Sequence, residues 1–324
     1  MVSIYSGTTV LVTGGCGMIG SHIVDELLKC DARVRITQHI RPNSFGPEVG
    51  VIPADLRSMS ACRRAVEGID YVFHAAGVTG GLQRAKFDPI PTFTDNLIIN
   101  TQVLEASRLA GVQRFALLSN SSVYAASEEC LKEEDAWGDA MRGVAENPTG
   151  TVKRMAELQC KIYADSTPMK IGIVRGGNSY GPRDCFDLER SHVLPALIRR
   201  AVAGQDPFVL WGSGETVRDF THARDIARGA LFVLEHYAVC EPLNIATGRI
   251  ASIKEVVSII LREAGHANAK IVLDPSRPTG PAAKRLDVSR MRKLGFTPTI
   301  SLEAGVRETI QWFKESFHGD MQDL

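Results

Sequence analysis

Short apolar runs alternate with longer amphipathic stretches along the first half of the chain. Such runs, bounded by turn residues, are typical of buried strands, whereas the stretches between them have helical periodicity. The predicted strands are residues 9–13, 33–37, 51–53, 71–74, 115–119 and 171–175. The predicted helices are residues 21–29, 59–66, 94–110 and 152–164. This alternation predicts an α/β fold with a doubly wound parallel sheet and helices on both faces.

A glycine-rich loop joins the first predicted strand to the first predicted helix. It reads Gly14-Gly15-Cys16-Gly17-Met18-Ile19-Gly20. A turn of this kind lets backbone amides approach a pyrophosphate, and the helix N-terminus adds partial positive charge. The strand–turn–helix setting therefore predicts a Rossmann-type site for a nicotinamide dinucleotide. Within the loop, we assign cofactor contacts to Gly14, Gly17, Met18, Ile19 and Gly20.

The strand–helix pattern changes after Tyr180-Gly181-Pro182, where turn residues and basic positions interleave. We therefore expect a dinucleotide-binding domain at residues 1–177. Residues 178–324 then form mainly a smaller α/β substrate-binding lobe, from which residues 220–247 return to pack on the first domain. No internal repeat or low-complexity tract complicates this division.

The balance of charge argues against strongly anionic binding partners. The 324-residue chain has 37 Lys and Arg residues against 37 Asp and Glu, so its formal net charge is zero. This argues against nucleic acid or an anionic membrane, which are held largely by bulk electrostatics. Seven cysteines without a Cys-x-x-Cys pair indicate free thiols in a reducing compartment. With no signal peptide or membrane span recognised, we expect a cytoplasmic protein, and we assign no metal site.

Small and polar residues follow the predicted strands at their carboxyl ends, where ligands bind in such sheets. Asp55 and Leu56 follow the third strand, where a carboxylate can accept a hydrogen bond from an adenine amino group. The residues after the fourth strand are small enough for the backbone to pass close to the cofactor; they are Ala75, Ala76 and Gly77. Asn120 and Ser122 follow the fifth strand, and Asn178 follows the sixth.

Together with Lys153, these strand-end motifs resemble the extended short-chain dehydrogenase/reductase family that modifies nucleotide sugars, and the likeness runs through nearly the whole chain. The second half is similar to the GDP-L-fucose synthase branch of that family. The motifs that carry this likeness are residues 191–200, Trp211-Gly212-Ser213-Gly214, Arg218-Asp219-Phe220, Pro278-Thr279-Gly280 with Lys284, and Leu286-Asp287.

The resemblance implies roles for individual residues. Lys153 would bind the nicotinamide ribose and take part in catalysis, and His192 would exchange protons at C3 or C5 of a 4-keto sugar, which suits an imidazole at neutral pH. The residues implied in binding the nucleotide sugar are Asn178, His192, Arg199, Trp211, Arg218 and Lys284. The resemblance also implies a homodimer formed through helices 94–110 and 152–164.

The chain departs from the family pattern at the residues expected to move protons. Thr149 stands where the family motif Tyr-x-x-x-Lys has tyrosine, and Asn120 replaces a Ser or Thr. Ser122 stands where the fucose synthase pattern has cysteine. A threonine hydroxyl is much less acidic than a phenol, and losing a positioned proton donor costs roughly 100- to 10,000-fold in rate. The catalytic candidates are Lys153, Thr149, Asn120, Ser122 and His192.

The residues at the end of the second predicted strand indicate whether the cofactor is NADP or NAD. Relatives that bind NAD end this strand with an acid that accepts from the ribose hydroxyls, but here it continues into Gln38 and His39, followed by Arg41. A missing carboxylate and a nearby guanidinium favour a 2′-phosphate. NADP is therefore the expected cofactor, with NAD as the alternative if Arg41 is an ordinary loop charge.

The leading functional hypothesis is a reductase or epimerase of a nucleotide-linked hexose, specifically a GDP-linked 4-keto sugar. Hydride transfer would take place at C4, with or without proton exchange at C3 or C5. The competing hypothesis is a binding protein that keeps the cofactor and has lost turnover. For single residues, Thr149 and His192 have plain structural interpretations as helix N-terminal residues. Tyr124 and Tyr180 are expected to be packed, with a substitute acid as the alternative.

Overall fold

The computed structural model describes residues 3–78, 89–125, 127, 129–137, 148–188, 190–276 and 283–317, with the side chains of 283 and 284 left out. The strands are β1 Thr9–Thr13, β2 Arg33–Gln38, β3 Gly50–Pro53, β4 Tyr71–His74, β5 Arg114–Asn120, β6 Cys130–Leu131, β7 Lys170–Gly176, β8 Asn178–Tyr180, β9 Phe208–Trp211, β10 Val217–Arg218, β11 Phe220–His222, β12 Val239–Ile245, β13 Ala251–Ser252, β14 Ile271–Asp274 and β15 Ala283–Leu286.

The helices are α1 Met18–Lys29, α2 Met59–Ala65, α3 Pro89–Leu109, α4 Pro148–Ser166, α5 Val193–Val202, α6 Ala223–His236, α7 Ile253–Ala264, α8 Ser289–Lys293 and α9 Leu302–Ser316. Short 3-10 turns cover Ser121–Val123 and Glu133–Ala136. Among the described residues, no helix is long and apolar enough to cross a bilayer.

A seven-stranded parallel sheet forms the centre of the fold, in the order β12-β7-β5-β4-β1-β2-β3. Alternate side chains of a strand face opposite sides, so Val10 and Val12 join one apolar core while Leu11 joins the other. Helices α1 and α6 pack together on the first side, and α3 and α4 pack together on the second. The predicted doubly wound Rossmann-type sheet is confirmed. The strand order reverses between β1 and β4, which places the ligand crevice at their carboxyl ends.

The structure extends the predicted elements at positions that matter for the site. Helix α1 begins at Met18, immediately after Gly17, rather than at residue 21. Helix α4 begins at Pro148 rather than at residue 152, because proline suits the first turn of a helix, where no amide partner is needed. This extension places Thr149 and Lys153 on one helix, a single turn apart.

Strand β12 was not among the predicted strands. It contains Pro242, and its pairing with β7 shifts register between Val239 and Pro242. A proline cannot donate to a neighbouring strand and is tolerated at a sheet edge, which is where β12 lies. Since α6 precedes it and packs on α1, this part of the chain returns to the central sheet after leaving it at β8.

A third apolar core lies in the later part of the chain. It gathers side chains from α5, α7 and α9 around Tyr180 and Phe208. A four-stranded sheet in the order β13-β10-β15-β6 brings the backbone of Arg218 opposite that of Lys284. Asn178 lies on β8, Trp211 at the end of β9 and Arg218 on β10. His192 and Arg199 belong instead to α5 and its N-cap.

Candidate active site

The glycine loop has the backbone geometry that a dinucleotide pyrophosphate requires. Gly14 has a φ of +67°, and a Cβ there would come within 2.8 Å of the Ala76 backbone. A Cβ on Gly20 would collide with the Gly14 carbonyl, so the helix packs directly on the loop. Gly17 is the N-cap of α1 without a side-chain cap, which leaves the first helical amides available to a phosphate. Met18 and Ile19 lie in that first turn.

A buried hydrogen-bond network joins the carboxyl ends of β1 and β4. The hydroxyl of Thr13 lies 2.7 Å from His74 Nδ1, and His74 Nε2 lies 2.9 Å from Asn100 Oδ1. Burial lowers the pKa of His74 to about 4, with a smaller contribution from the charge of Lys153, so the imidazole is neutral. The Ala76 amide also donates to Thr13. The network thereby holds the short segment Ala75, Ala76 and Gly77 beside the glycine loop.

Asp55 lies at the carboxyl end of β3, as expected, but its carboxylate already has a strong partner. Arg57 donates to it at 2.7 Å and also pairs with Asp95 at 3.3 Å. Hydrogen bonds from Arg57 lower the pKa of Asp55 to about 2. Leu56 is buried in the core next to it.

Arg41 lies in the loop after β2 and is exposed. Its Nη1 donates to the Arg183 carbonyl at 3.1 Å, and the Gln38 side chain donates to the Arg41 carbonyl at 3.0 Å. Burial raises the pKa of the Cys16 thiol in the glycine loop, and the Arg41 charge opposes that shift. The guanidinium is therefore close to the loop, where the adenosine end of a dinucleotide would lie.

Thr149 and Lys153 lie in the first two turns of α4. The ammonium of Lys153 donates to the Leu118 carbonyl at 2.7 Å. Burial lowers its pKa to about 8, and the charge of Glu157 opposes this shift. Thr149 is half-buried, and within the described ranges its hydroxyl has no hydrogen-bond partner.

A buried ion pair fixes α4 against the sheet. Arg175 on β7 donates to Glu157 at 2.6 and 3.0 Å, and the Ser119 hydroxyl donates to the same carboxylate at 2.5 Å. Both charged side chains are almost fully buried. Because Glu157 is one turn after Lys153, this pair also sets where the lysine ammonium lies.

Asn120 has an orientation that suits a hydrogen-bond donor to substrate. Its Oδ1 accepts from the Ser122 amide at 2.9 Å and from the Ser122 hydroxyl. Its Nδ2 group makes no hydrogen bond to any residue that the structure describes. The amide N–H groups can therefore donate to a sugar oxygen, whereas the Ser122 hydroxyl is committed to Asn120.

The two tyrosines considered as substitute acids are packed instead. Tyr124 donates to Asn244 at 2.6 Å and lies 3.0 Å from Arg175, and burial raises its pKa to about 12. Tyr180 is buried against Phe220, and burial raises its pKa as well. The expectation that both tyrosines are packed is confirmed.

The residues expected to bind the nucleotide sugar are spread over several elements. Asn178 on β8 donates to the Asp219 carbonyl at 3.2 Å, and Arg199 on α5 donates to the Phe186 carbonyl at 3.0 Å. Trp211, at the end of β9, is 51% exposed. Arg218 is half-buried, donates to the Val217 carbonyl at 2.7 Å, and has a pKa lowered by burial.

Lys284 is placed by its backbone alone, in β15 beside Arg218. Its side chain and the motif Pro278-Thr279-Gly280 lie outside the described residues.

His192 is the N-cap residue of α5 and is exposed, but its side chain makes no capping hydrogen bond. Sequence reasoning missed a carboxyl in its vicinity. Asp184 has a buried Oδ2 atom without a partner among the described residues, and its Oδ1 accepts from the Cys185 amide at 2.7 Å. Burial raises the pKa of Asp184, while the charges of His192 and Arg41 lower it. The only sequence signal is an acid immediately after Tyr180-Gly181-Pro182-Arg183.

The parallel sheet and its glycine loop define a dinucleotide-binding protein of the Rossmann type. Residues 10–246 match the NAD dependent epimerase/dehydratase family, and the chain belongs to that family. The family expectation made from the motifs is confirmed, and it supports an NAD(P)-dependent enzyme acting on nucleotide sugars.

Two characterised relatives share about a third of their residues with the chain. It is 32% identical over 322 residues to a dTDP-4-dehydro-6-deoxy-D-allose reductase from a Streptomyces species, covering 96% of this chain and 97% of the relative. It is 32% identical over 268 residues to the GDP-L-fucose synthase of Escherichia coli K12, covering 78% and 82% of the two chains.

Solved structures show the same fold. The UDP-glucose 4-epimerase of Thermotoga maritima, determined with UDP-glucose, superposes with a TM-score of 0.84 at 25% identity, covering 95% of this chain and 99% of that one. The Thermus thermophilus UDP-glucose 4-epimerase in complex with NAD superposes with a TM-score of 0.81 at 26% identity, covering 94% and 99%.

Proposed function

We propose that this protein is an NADP-dependent reductase of a 4-keto nucleotide sugar, with a GDP-linked hexose as the first candidate substrate. The observation that carries the proposal is that an amide donor and a half-buried cation both lie at the carboxyl end of β5. Asn120 presents its Nδ2 group at the end of β5, and the Lys153 ammonium is anchored on the Leu118 carbonyl of the same strand. A ketone oxygen placed there meets a neutral donor and a positive charge.

Different residues of the chain contribute to different parts of the proposed reaction. The dinucleotide supplies the hydride for sugar C4. The Asn120 amide polarises the C4 carbonyl, and the Lys153 charge stabilises the negative charge that develops on its oxygen. Arg218 and Arg199 offer guanidinium groups to the nucleotide diphosphate, which suits bidentate recognition of phosphate.

His192 adds proton exchange to the proposal. Its exposed imidazole makes no capping bond and can accept a proton from C3 or C5 beside the ketone. Ser122 is a poor second base, because its hydroxyl donates to Asn120. Exchange by one base, at one carbon, therefore fits the site better than a double epimerisation.

The preference for NADP rests on Arg41. The guanidinium lies near the glycine loop, and β2 ends in Gln38 without a carboxylate that would repel a 2′-phosphate. The relative named for a dTDP-linked sugar makes that nucleotide the main alternative to GDP.

We also propose that the protein is a homodimer that pairs through α3 and α4. Leu158 and Ile162 lie one turn apart on α4 and are 49% and 64% exposed. Ile90 and Leu109 on α3 are exposed as well, at 73% and 49%. Apolar area of this kind on two adjacent helices suits a second copy of the same surface, as in an isologous dimer.

A turnover screen tests the proposed reaction. Purified protein is mixed with GDP-, dTDP- and UDP-linked 4-keto hexoses and either NADPH or NADH, and nicotinamide absorbance is followed. We expect oxidation of NADPH with at least one of these sugars, and faster oxidation than with NADH.

The replacement of tyrosine by Thr149 favours a second candidate, a nucleotide-sugar-binding protein without turnover. Calorimetric titration with the same sugars separates the two. Binding of a sugar nucleotide without oxidation of either cofactor would support the binding protein and contradict the reductase.

A further inference from the structure

Lys153 is a half-buried cation, and no carboxylate among the residues that the structure describes contacts it directly. Its ammonium donates to the Leu118 carbonyl, which uses one of its three N–H groups. The carboxylate of Glu157 is bound by Arg175 and Ser119 instead. In the described part of the chain, two N–H groups of Lys153 therefore remain available to neighbouring oxygen atoms.

The titratable groups that face Lys153 leave it poised to lose a proton near neutral pH. Burial lowers its pKa to about 8, and Glu157 on the same helix opposes the shift. On β4, His74 is neutral, with its two nitrogens engaged by Thr13 and Asn100. A group with such a pKa is mostly protonated at pH 7 and donates far more readily than an ordinary lysine.

Thr149 lies one helical turn before Lys153, so the two side chains share a face of α4. In the part of the chain that the structure describes, the Thr149 hydroxyl makes no hydrogen bond. A hydroxyl both accepts and donates, so it can accept from an ammonium while it donates to a ligand oxygen.

We propose that the ammonium of Lys153 is the proton source in this site and that the Thr149 hydroxyl carries the proton to the sugar oxygen. The inference rests on the proposed reductase activity. Sugar C4 receives the hydride from the reduced dinucleotide, and the carbonyl π pair moves onto O4. O4 takes the Thr149 hydroxyl proton while that hydroxyl takes one from Lys153. Lys153 ends as a neutral amine and regains its proton from solvent.

This relay removes the difficulty posed by a weakly acidic threonine. The hydroxyl gains a proton as it loses one, so no threonine alkoxide forms. Lys153 supplies the acidity for the transfer. The position of the Thr149 hydroxyl determines that the proton passes to the sugar oxygen. Thr149 is then needed for its oxygen atom rather than for its size.

A titration of the cofactor-free protein tests the proton source without any turnover. Lysine is labelled with ¹³C at Cε, its signals are followed by NMR from pH 6 to 11, and Lys153→Met identifies the signal of residue 153. We expect its midpoint near pH 8. Lys161, an exposed lysine of the same helix paired with Asp165, serves as the internal control and should titrate above its ordinary value. A Lys153 midpoint equal to that of Lys161 would overturn the inference.

Two substitutions of Thr149 test whether its hydroxyl carries the proton. Thr149→Val keeps the shape and removes the hydroxyl, whereas Thr149→Ser keeps the hydroxyl. In single-turnover reduction we expect Thr149→Val to be slower by at least about 10-fold and Thr149→Ser to stay within about 3-fold of the natural protein. The rate should also fall as pH rises through about 8. Dinucleotide affinity, measured by fluorescence titration, should be unchanged in both variants.

The outcomes separate this inference from the proposed function. Turnover by the natural protein, combined with an undiminished rate in Thr149→Val or a rate that is flat across pH 8, contradicts the relay and leaves the reductase intact. Absence of turnover with every nucleotide sugar would contradict both the proposed reductase activity and the proposed proton relay.

Discussion

At the residue scale, this site differs from the family pattern in the residues that could donate a proton to the substrate. Lys153 keeps its position on α4, and Asn120 keeps a donor at the end of β5. Thr149 supplies a short hydroxyl where a phenol is expected. The site therefore retains two groups that can polarise a ketone, and it differs from the family pattern in the group that delivers the proton.

Thr149→Tyr is expected to raise reductase activity about 10-fold or more, the low end of what a positioned general acid contributes. A phenol beside the Lys153 charge would have a lowered pKa and could protonate the sugar oxygen itself. Steady-state oxidation of NADPH with the best sugar measures the gain, and Lys153→Ala should reduce it in both backgrounds. A folded, cofactor-binding Thr149→Tyr protein with lower activity would contradict this expectation and indicate that the site requires the short threonine hydroxyl.

Arg41→Ala should weaken NADP(H) binding by a few kcal/mol at most and leave NAD(H) binding nearly unchanged, as expected for one charged contact. Fluorescence titration with both cofactors measures the difference. Arg35→Ala is the matched control, since Arg35 is a β2 arginine that donates to the Glu67 carbonyl. Tighter binding of NAD(H) than NADP(H) by the natural protein would reverse the assignment.

His192→Asn should abolish exchange of sugar protons with solvent. A 4-keto nucleotide sugar incubated in deuterated water with the natural protein should gain deuterium at C3 or C5, as read by mass spectrometry and NMR. Asparagine keeps a helix N-cap residue in place, so α5 should remain intact. Undiminished labelling in the variant would exclude His192 as the base.

At the element scale, buried polar networks align the strand ends and the helix that carry the site. The pair of Arg175 and Glu157 holds α4 against β7, and the network of Thr13, His74 and Asn100 holds β1 beside β4 and α3. Removing one member of a buried ion pair leaves a charge without compensation, which is strongly destabilising.

The His74 network makes the fold sensitive to acid. The pKa of His74 is about 4 in the folded protein against an ordinary 6.5, so the unfolded chain binds the proton first. This contribution is complete above pH 6.5 and is lost as pH falls towards 4. Between pH 7 and pH 5 it corresponds to about 2 kcal/mol of the free energy of unfolding. Urea unfolding of the natural protein and of His74→Gln should show a weaker pH dependence in the variant, and equal slopes would contradict the assignment.

At the scale of the whole molecule, the exposed apolar side chains of α3 and α4 lead to an expectation for assembly. Ile162→Glu should convert the proposed dimer to monomers, because it places two charges in a symmetric apolar contact. Sedimentation equilibrium measures the mass. Ile40→Glu is the control, since Ile40 is 85% exposed in the loop after β2. If the natural protein is monomeric at high concentration, the proposed dimer is contradicted.

The glycine loop and the strands around it could be predicted because their signals are local. A tight turn between a buried strand and an amphipathic helix depends on residues that are neighbours in sequence, and Gly14 at positive φ confirms that requirement. Strand β12 could not be predicted in this way. Pro242 interrupts its pattern, and only pairing with β7 makes the segment a strand.

Local periodicity and turn chemistry were enough to predict the sheet class, the glycine loop and the order of the strand-end motifs. Tertiary packing, in contrast, settled which polar groups remain available. It turned the Asn120 oxygen towards Ser122, enclosed Tyr124 with Arg175, and placed Thr149 one helical turn before Lys153. The reason is that hydrogen-bond partners and desolvation depend on residues distant in sequence, which meet only when the sheet and helices pack.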